Sequence, residues 1–321
     1  MRIYIGFIAA GLLIVVGMFV MHGRHELIQP AAPPKVQARI LFGGDMMFDR
    51  TIRTTVNTKG GDYIFDCLDP LLKSVDLVVA NLEGPITMSA SVSQYSRPGD
   101  GNNYTFTFPT TTAQLLFAHN IRLVNIGNNH IMNFHGAGLL ATKDYLAQAD
   151  VGYFGDPNAI EPDKVARIEI GGVPISFVNW SDWTSDNADL TAAQVRKEHA
   201  ADRIVIIYTH WGEEYSPATA REKRLAHEFI DAGADIVIGS HPHVVQEHEV
   251  YKGKNIYYSL GNLIFDQYFD DAVDHGLMLD VQFDNIGVIR VSEIPVVLQK
   301  NRQTCPREDI HRADLAHARE R

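Results

Sequence analysis

Five apolar runs of strand length, each leading into a side chain that can ligate a metal, constrain this chain more than any other feature. The runs are continuous rather than alternating, as expected for strands of a parallel sheet covered on both faces. They read ARILFGG, DLVVAN, RLVNIGN, RIVIIYT and ADIVIGS, and they lead into Asp45, Glu83, Asn129, His210 and His241. Because ligands gather where parallel strands end, the sequence predicts one shared site at that edge of a sheet.

Segments with helical periodicity lie between these runs and predict an α/β fold. We place helices at 63–73, 112–119, 136–148, 191–200 and 217–232. Other stretches predict antiparallel strands, with a hairpin at Gly171-Gly172 and turns at Lys252-Gly253 and at 285–287. The sheet is therefore expected to be mixed, or two sheets face each other.

The amino-terminal segment is read as a membrane element. Residues 3–21 carry no charge and are nearly long enough to cross a hydrocarbon core of about 30 Å. We expect 1–23 to be a retained single-pass anchor in the cell membrane, with a cleaved signal peptide as the alternative. Residues 24–37 are a Pro-rich linker. The main domain, 38–300, is placed outside the cytoplasm, and 301–321 is expected to be a polar surface helix or frayed tail.

Composition limits the partners and the redox chemistry. The chain has 28 basic and 39 acidic side chains, a formal net charge of -11, so its surface as a whole repels nucleic acid and anionic lipid. An anionic substrate must then be captured locally. Cys67 and Cys305 are too few and too far apart in sequence for a disulfide framework, and idle buried thiols are favoured over a bridge.

The chemistry of the run-ending residues indicates a metal site. The candidate ligands are Asp45, Glu83, Asn129, His210, His241 and His243. Carboxylate, amide and imidazole donors together suit Mn, Fe or Zn better than calcium. Six candidates exceed one tetrahedral ion but suit two divalent cations about 3.5 to 4 Å apart that share a bridging carboxylate. Singly, each residue has a structural alternative as a cap, a turn residue or a hydrogen-bonded histidine; their joint placement favours the metal site.

The same residues carry a resemblance to a known family. The motifs GGDMMFDR, NLEGPI, NIGNNHIMNFHGAG, THWGEEY, GSHPHVVQ and YSLGNLIFDQ occur in order between residues 40 and 266. In these motifs the chain resembles the CapA family of poly-gamma-glutamate capsule proteins, a branch of the calcineurin-like metallophosphoesterases. The resemblance implies a four-layer fold in which two mixed sheets pack face to face with helices outside.

The resemblance also implies a division of roles at the site. Asp45 and His243 are similar to the ligands of one metal, and Glu83 takes the bridging place. The ligands of the other metal are matched by Asn129, His210 and His241. His130 resembles the catalytic histidine that stabilises charge on the substrate or protonates the leaving group, a role suited to imidazole.

Two positions depart from the pattern that the resemblance implies. Met47 stands where phosphoesterases at large have a histidine ligand, so one metal has one ligand fewer; the CapA branch lacks this histidine as well. Asn133 stands where the branch usually has an aspartate, which is expected to weaken the support of His130 and with it full activity.

A few neighbouring residues are weaker candidates for contacts with substrate. Trp211 and Glu213 follow His210 and are predicted to line a substrate groove, with buried packing as the alternative for Trp211. Asn262 is predicted to cap the site with its amide or to form a turn. Arg50 and Arg53 lie one helical turn apart, where a solvated face is favoured over an anion site.

These observations predict a membrane-anchored hydrolase that acts on a phosphoester or a gamma-glutamyl amide. Its expected partners are the membrane, an anionic polymer or its precursor, and membrane synthase or export subunits. The first alternative is an accessory subunit that binds the polyanion or its partners without turnover. The second is a secreted phosphoesterase released from its apolar segment.

Overall fold

The computed structural model describes residues 35–159, 164–184 and 187–307. The helices are α1 (Arg50–Lys59), α2 (Asp69–Leu72), α3 (Thr112–Ala118), α4 (His135–Gln148), α5 (Ala188–His199) and α6 (Ala220–Ala232), with a 3-10 helix at Asp62–Phe65. The strands are β1 (Ala38–Met46), β2 (Leu77–Leu82), β3 (Ile121–Asn125), β4 (Gly152–Phe154), β5 (Ala166–Ile170), β6 (Val173–Ser181), β7 (Ile204–His210), β8 (Ile236–Ser240), β9 (His248–Tyr251), β10 (Lys254–Tyr257), β11 (Asn262–Ile264), β12 (His275–Asp284), β13 (Gly287–Leu298) and β14 (Thr304–Pro306).

The strands form two mixed sheets. The first has the order β14-β13-β12-β1-β2-β3-β4, and β11 pairs with the end of β1. In it β1 to β4 are parallel, whereas β12, β13 and β14 are antiparallel to their neighbours. The second has the order β5-β6-β7-β8-β10-β9, with four parallel strands between antiparallel edges. The predicted α/β class with mixed sheets is confirmed.

Three hydrophobic clusters alternate with the two sheets. On β1, Ile40 and Phe42 point into a cluster that the two sheets share, whereas Leu41 points into a cluster with α1, α3 and α4. On β7, Ile206 joins the shared cluster, and Val205 packs toward α5 and α6. Because neighbouring strand residues face opposite sides, continuous apolar runs are what such doubly covered strands require.

The helix and turn predictions can be compared with these bounds. Each predicted helix overlaps an observed one, and the predicted 63–73 segment is a 3-10 turn followed by α2. The hairpin at Gly171-Gly172 joins β5 to β6, and Lys252-Gly253 joins β9 to β10, with positive φ at all four residues. The helix α1 was not predicted. Its sequence RTIRTTVNTK is rich in β-branched residues, which have low intrinsic helix propensity.

The sequence also makes predictions for the two ends of the chain. The predicted anchor and nearly all of the linker lie outside the described residues, as do residues 308–321. In the described part of the chain, no helix has the length and apolar character needed to cross a bilayer. For 304–306 the predicted surface helix or frayed tail is wrong, because these residues form β14 against β13.

The prediction of two idle thiols is also wrong. Cys67 and Cys305 form a disulfide, with a Cα–Cα distance of 4.9 Å across a sequence separation of 238 residues. Cys67 lies just before α2, whereas Cys305 lies in β14, near the end of the described chain. Because β14 pairs with β13 in the first sheet, the two cysteines meet despite their distance in sequence. The bridge therefore closes almost the whole domain into one covalent loop.

We predict that removing this bridge destabilises the domain. A crosslink over so long a loop restricts the unfolded chain, so the variant Cys67→Ser/Cys305→Ser should lose about 2 to 5 kcal/mol of unfolding free energy. Urea unfolding of the variant and of the wild type, with and without reductant, measures this loss. Titration of thiols in the unfolded, unreduced wild type should find none, and two free thiols would contradict the bridge.

Candidate metal centre

The register of the parallel strands brings the candidate ligands to one edge. In the first sheet Asp45 pairs with Asn81 on β2, and Asn81 pairs with Asn125 on β3. In the second sheet His210 at the end of β7 pairs with Ser240 at the end of β8. Because the two sheets face each other, their carboxyl-terminal edges deliver side chains from both sides into one place.

The backbone at the strand ends is built for close approach. A Cβ on Gly44 would lie 1.8 Å from the carbonyl oxygen of Gly261, so glycine is needed where β1 passes the β11 segment. After β8, His241 and His243 adopt positive φ values of 100° and 58°. Non-glycine residues avoid this region, and such strain concentrates at functional sites. The SHPH segment thus holds two imidazoles in a constrained turn.

The described residues contain two groups of potential ligands that share one carboxylate. In the first group one ligand atom each of Asp45, Glu83 and His243 lies within 4.8 Å of the others. The second group joins Glu83 to His210 and His241 with the same spacing. Asn129 extends the second group, because its Oδ1 lies 2.9 Å from Nε2 of His210. Glu83 is common to both groups, and the grouping of the histidines is the one that the family resemblance implies.

Glu83 gives the strongest sign that a cation belongs here. Its side chain is fully buried, and neither Oε1 nor Oε2 has a hydrogen-bond partner among the described residues. The closest basic groups are Nε2 of His243 at 3.6 Å and Nε2 of His130 at 3.9 Å. Nδ1 of His241 is likewise buried without a partner. Buried polar atoms are nearly always satisfied, so orphaned carboxylate and imidazole donors fit a bound metal.

Burial shifts the protonation equilibria of the whole cluster. It raises the pKa of Asp45 to about 7, against hydrogen bonds from the backbone of His241 and from Asn81. Burial, and next the charge of Asp45, raise the pKa of Glu83 well above its usual value. Burial also lowers the pKa of His241 to about 4, and it holds the pKa of His210 well below the ordinary value. Without a cation the imidazoles are neutral at pH 7, and Asp45 keeps its proton in about half of the molecules.

Hydrogen bonds at Nδ1 orient the imidazoles of His243 and His210. Nδ1 of His243 donates to Oδ1 of Asn262 over 2.9 Å, which leaves Nε2 facing Glu83. Nδ1 of His210 lies 3.0 Å from Oγ of Ser240. Such partners fix the ring and its tautomer for metal ligation. Asn262 was predicted to cap the site, and it lies fully buried against His243.

A buried network of amides underlies the centre, and the sequence reading missed it. Asn81 donates to Asp45 Oδ1 at 2.8 Å and lies 3.2 Å from Nδ1 of His210. Asn125 and Asn128 both donate to Oδ1 of Asn81, at 2.9 and 3.1 Å. The signal was present, because Asn81 ends the run DLVVAN and Asn125 lies inside RLVNIGN. These amides set the positions of Asp45 and His210 without adding charge.

His130 lies at the more open side of the centre. Its side chain is 12% exposed, and burial lowers its pKa to about 4. Nδ1 lies 3.1 Å from Oδ1 of Asn133, which also accepts from the backbone N–H of Phe106 at 2.8 Å. That second contact fixes the amide orientation, so Nδ1 of His130 is the protonated nitrogen. Asn133 thus occupies the supporting place with an amide instead of a carboxylate.

The structure also places the residues predicted to line a substrate groove, and Met47. Trp211 is wrong as a groove residue, because it is fully buried in the cluster under α5 and α6 and donates to the carbonyl oxygen of Tyr258. Glu213 is exposed, and its contact with substrate stays a prediction. Met47 packs in the cluster on the helix side of the first sheet. The aromatic residue against His210 and His241 is instead Trp183, which is half-exposed and lies 4.3 Å between ring centroids from His241.

The fold and the site define an α/β protein of two mixed sheets with a candidate dinuclear metal centre at the strand ends. The chain belongs to the family of the bacterial capsule synthesis protein PGA_cap, whose family model matches residues 39–267.

Curated relatives agree with this family. The chain is 30% identical over 277 residues to the capsule biosynthesis protein CapA of Bacillus anthracis, covering 80% of this chain and 66% of that protein. It is 29% identical over 256 residues to the PGA biosynthesis protein CapA of Bacillus subtilis, covering 74% and 66%. A probable polyglutamine synthesis accessory protein of Mycobacterium tuberculosis is 30% identical over 220 residues, covering 60% and 56%. The chain thus matches just under two thirds of the length of the two CapA proteins.

We predict that metal binding releases protons from carboxyl groups. Below pH 7 Asp45 retains its proton, whereas the imidazoles are already neutral above about pH 5, so affinity for Mn²⁺ or Zn²⁺ should rise as pH increases through 7. Calorimetry at about pH 6 in two buffers of different ionisation enthalpy counts the protons. Asp45→Asn should release fewer and bind more weakly, whereas the exposed Asp144→Asn should match the wild type. Undiminished release from Asp45→Asn would contradict this assignment.

We also predict that bound metal stabilises the folded domain and that this effect requires Glu83. Metal at about 100 times its dissociation constant should stabilise the wild type by about 2.7 kcal/mol and raise its Tm by several degrees over chelator-treated protein. Glu83→Gln should lose most of this rise, since both ligand groups share Glu83. Glu228→Gln, an exposed helix position, is the matched control. A full rise in Glu83→Gln, measured by calorimetry, would exclude the shared carboxylate.

Proposed function

We propose that the chain is a CapA-like protein of poly-gamma-glutamate biosynthesis whose centre is a two-metal hydrolase site of the metallophosphoesterase kind. The observation that carries the proposal is the buried Glu83, whose oxygens lack partners and which is common to two groups of potential ligands. One hydrophobic cluster lies between helices and the first sheet, one between the two sheets, and one between the second sheet and helices. This layering supports the four-layer fold that such a site requires.

The donor set fits two divalent cations, with Mn, Fe or Zn as the best candidates. Asp45 and His243 would hold one, and Asn129, His210 and His241 the other, with Glu83 between them. When bound, such cations polarise a phosphoryl or acyl oxygen and lower the pKa of water. Met47 does not contribute, because it lies in the core.

His130 is the residue of this chain that would move a proton. With Nδ1–H directed to Asn133, the lone pair of Nε2 lies toward the centre, 3.9 Å from Oε1 of Glu83. It accepts a proton from the attacking water and returns it to the leaving group. Since burial lowers the pKa of His130 to about 4, the ring is neutral at pH 7 and its Nε2 carries a lone pair.

The substrate class follows from charge and from the relatives. The Bacillus subtilis relative is the PGA biosynthesis protein CapA. Its polymer, or a precursor of it, is anionic, and the chain has a formal net charge of -11. Two cations would supply the positive charge that the rest of the surface lacks. The scissile bond would be a phosphoester or a gamma-glutamyl amide.

We further propose that the domain works outside the cytoplasm, tethered to the membrane beside synthase or export subunits. The apolar residues 3–21 support the tether. The disulfide between Cys67 and Cys305 supports an oxidising compartment, because such bridges seldom persist in the reducing cytosol.

We predict that His130→Ala lowers turnover and spares metal binding. The loss in kcat should be about 10² to 10⁴-fold, the usual contribution of a positioned acid or base. The assay uses metal-loaded protein with a generic phosphodiester and with a gamma-glutamyl anilide, alongside metal analysis. His248→Ala, at an exposed histidine bonded to Asn255, is the control. Equal turnover of His130→Ala and wild type would overturn the role of His130.

Two observations favour a second candidate, an accessory subunit that binds polyanion without turnover. Met47 removes one potential ligand, and the amide of Asn133 stabilises a charged His130 less than a carboxylate would. The same assay separates the candidates. Wild-type protein that holds two metals yet turns over neither substrate class supports the accessory role.

A further inference from the structure

Arg50 is a charged residue beside the centre to which the proposed chemistry gives no role. It begins α1 with a φ of 48°, in the region that non-glycine residues avoid. Its side chain is 11% exposed and pairs with Asp266, whose Oδ1 lies 2.5 Å from Nη2. Asp266 also accepts from the backbone N–H and the hydroxyl of Thr51. The predicted solvated face is therefore wrong for Arg50, which is held largely buried in a strained conformation.

Two aromatic rings connect Arg50 to the histidines of the centre. Its guanidinium carbon lies 5.2 Å from the ring centroid of Phe106 and 5.4 Å from that of Phe265. Phe106 in turn lies 4.4 Å from the ring of His130, and Phe265 lies 4.7 Å from that of His243. Arg50 is thus one ring away from His243 of the first ligand group and from His130, the proposed proton carrier, and it is too remote to be a ligand itself.

A cavity of about 210 Å³ opens beside Arg50. We call it the Arg50 cavity, and its walls include Arg50, Asp266, Tyr104, Tyr215, Gln267 and Phe269. It adjoins the metal centre, because the ring of Tyr215 lies 6.1 Å from that of His243. Gln267 donates to the hydroxyl of Tyr215 and accepts from Asn262, the residue that orients His243. One hydrogen-bonded wall therefore borders both the cavity and the centre.

The guanidinium has unused donors. Among the described residues it makes one hydrogen bond, from Nη2 to Asp266, and its Nε has no partner. An arginine fork matches a planar carboxylate, and hydroxyl and amide groups around it add neutral donors. Asp266 also lines the cavity and neutralises the charge of Arg50, so the pair repels a singly charged carboxylate less than a doubly charged phosphate.

We propose that the Arg50 cavity binds a carboxylate of the substrate while another group of the same molecule lies at the metal centre. The substrate class is then a chain with carboxylates repeated along it, of which a gamma-linked glutamate oligomer is the type. This inference rests on the proposed function for the group at the centre. Arg50 is a specificity-determining residue in this account and takes no part in the bond cleavage.

The test measures binding by the full 321-residue chain in the presence of a chelator, so that neither metal nor turnover enters the readout. The probes are a gamma-linked glutamate tetramer and the same tetramer with its α-carboxylates converted to amides. The wild type should bind the acid about tenfold or more tightly than the amide, as expected for a charge-assisted contact. Arg50→Gln should lose that preference. Arg122→Gln, at an exposed arginine over Phe117, should keep it.

Each other result overturns the proposal. A wild type with no preference for the acid, or an Arg50→Gln variant that keeps the preference, excludes a carboxylate site at Arg50. A loss that is equal for acid and amide shows that Arg50 only supports Asp266 and the start of α1. Should Arg50→Gln fail to fold, Arg50→Lys retains the charge for Asp266 without the fork, and it must then show the reduced preference. Absence of turnover in the metal-loaded protein would contradict the hydrolase proposal. It would not change the interpretation of the acid and amide affinities measured in chelator.

Discussion

Two buried carboxylates, Asp45 and Glu83, placed among neutral imidazoles are the constraint on which the rest of the structure depends. Removing ionisable groups from water is expensive, and partnerless carboxylate oxygens are not retained in a core for stability alone. The arrangement makes physical sense when positive charge enters the pocket. Two backbone features then serve one purpose, which is to hold the ligand atoms close enough together to bind a cation. They are the strained turn after β8 and the close approach of Gly44 to Gly261.

The two-sheet architecture keeps these donors in place. Asp45 belongs to the first sheet and His210 to the second, yet Asn81 contacts both, so one amide sets their separation. Further amides at Asn125 and Asn179 continue the network across the sheets, Asn179 donating to Asn125 over 2.9 Å. A network of neutral groups orients the ligands without competing with a metal for charge. Asp45 and His210 lie in strands, and the other four candidate ligands lie in loops that follow strands of the two sheets.

Much of the site could be predicted from the sequence, because parallel strands force their carboxyl ends together. Each apolar run located one candidate ligand, and the fold places five of the six in two groups that share Glu83, with Asn129 beside His210. The fate of Trp211 could not be predicted, since its burial depends on a carbonyl at Tyr258 that is distant in sequence. The same holds for the bridge between Cys67 and Cys305, where 238 residues of separation hide spatial neighbours. The helix α1 was missed because its β-branched residues obscure a helix that tertiary contacts stabilise.

The most direct test of this account is a crystal structure of the protein grown with Mn²⁺, with the ions located by anomalous diffraction. The account predicts two peaks about 3.5 to 4 Å apart, one on each side of the Glu83 carboxylate. A single peak, peaks elsewhere on the surface, or none in the pocket at saturating Mn²⁺ would contradict it.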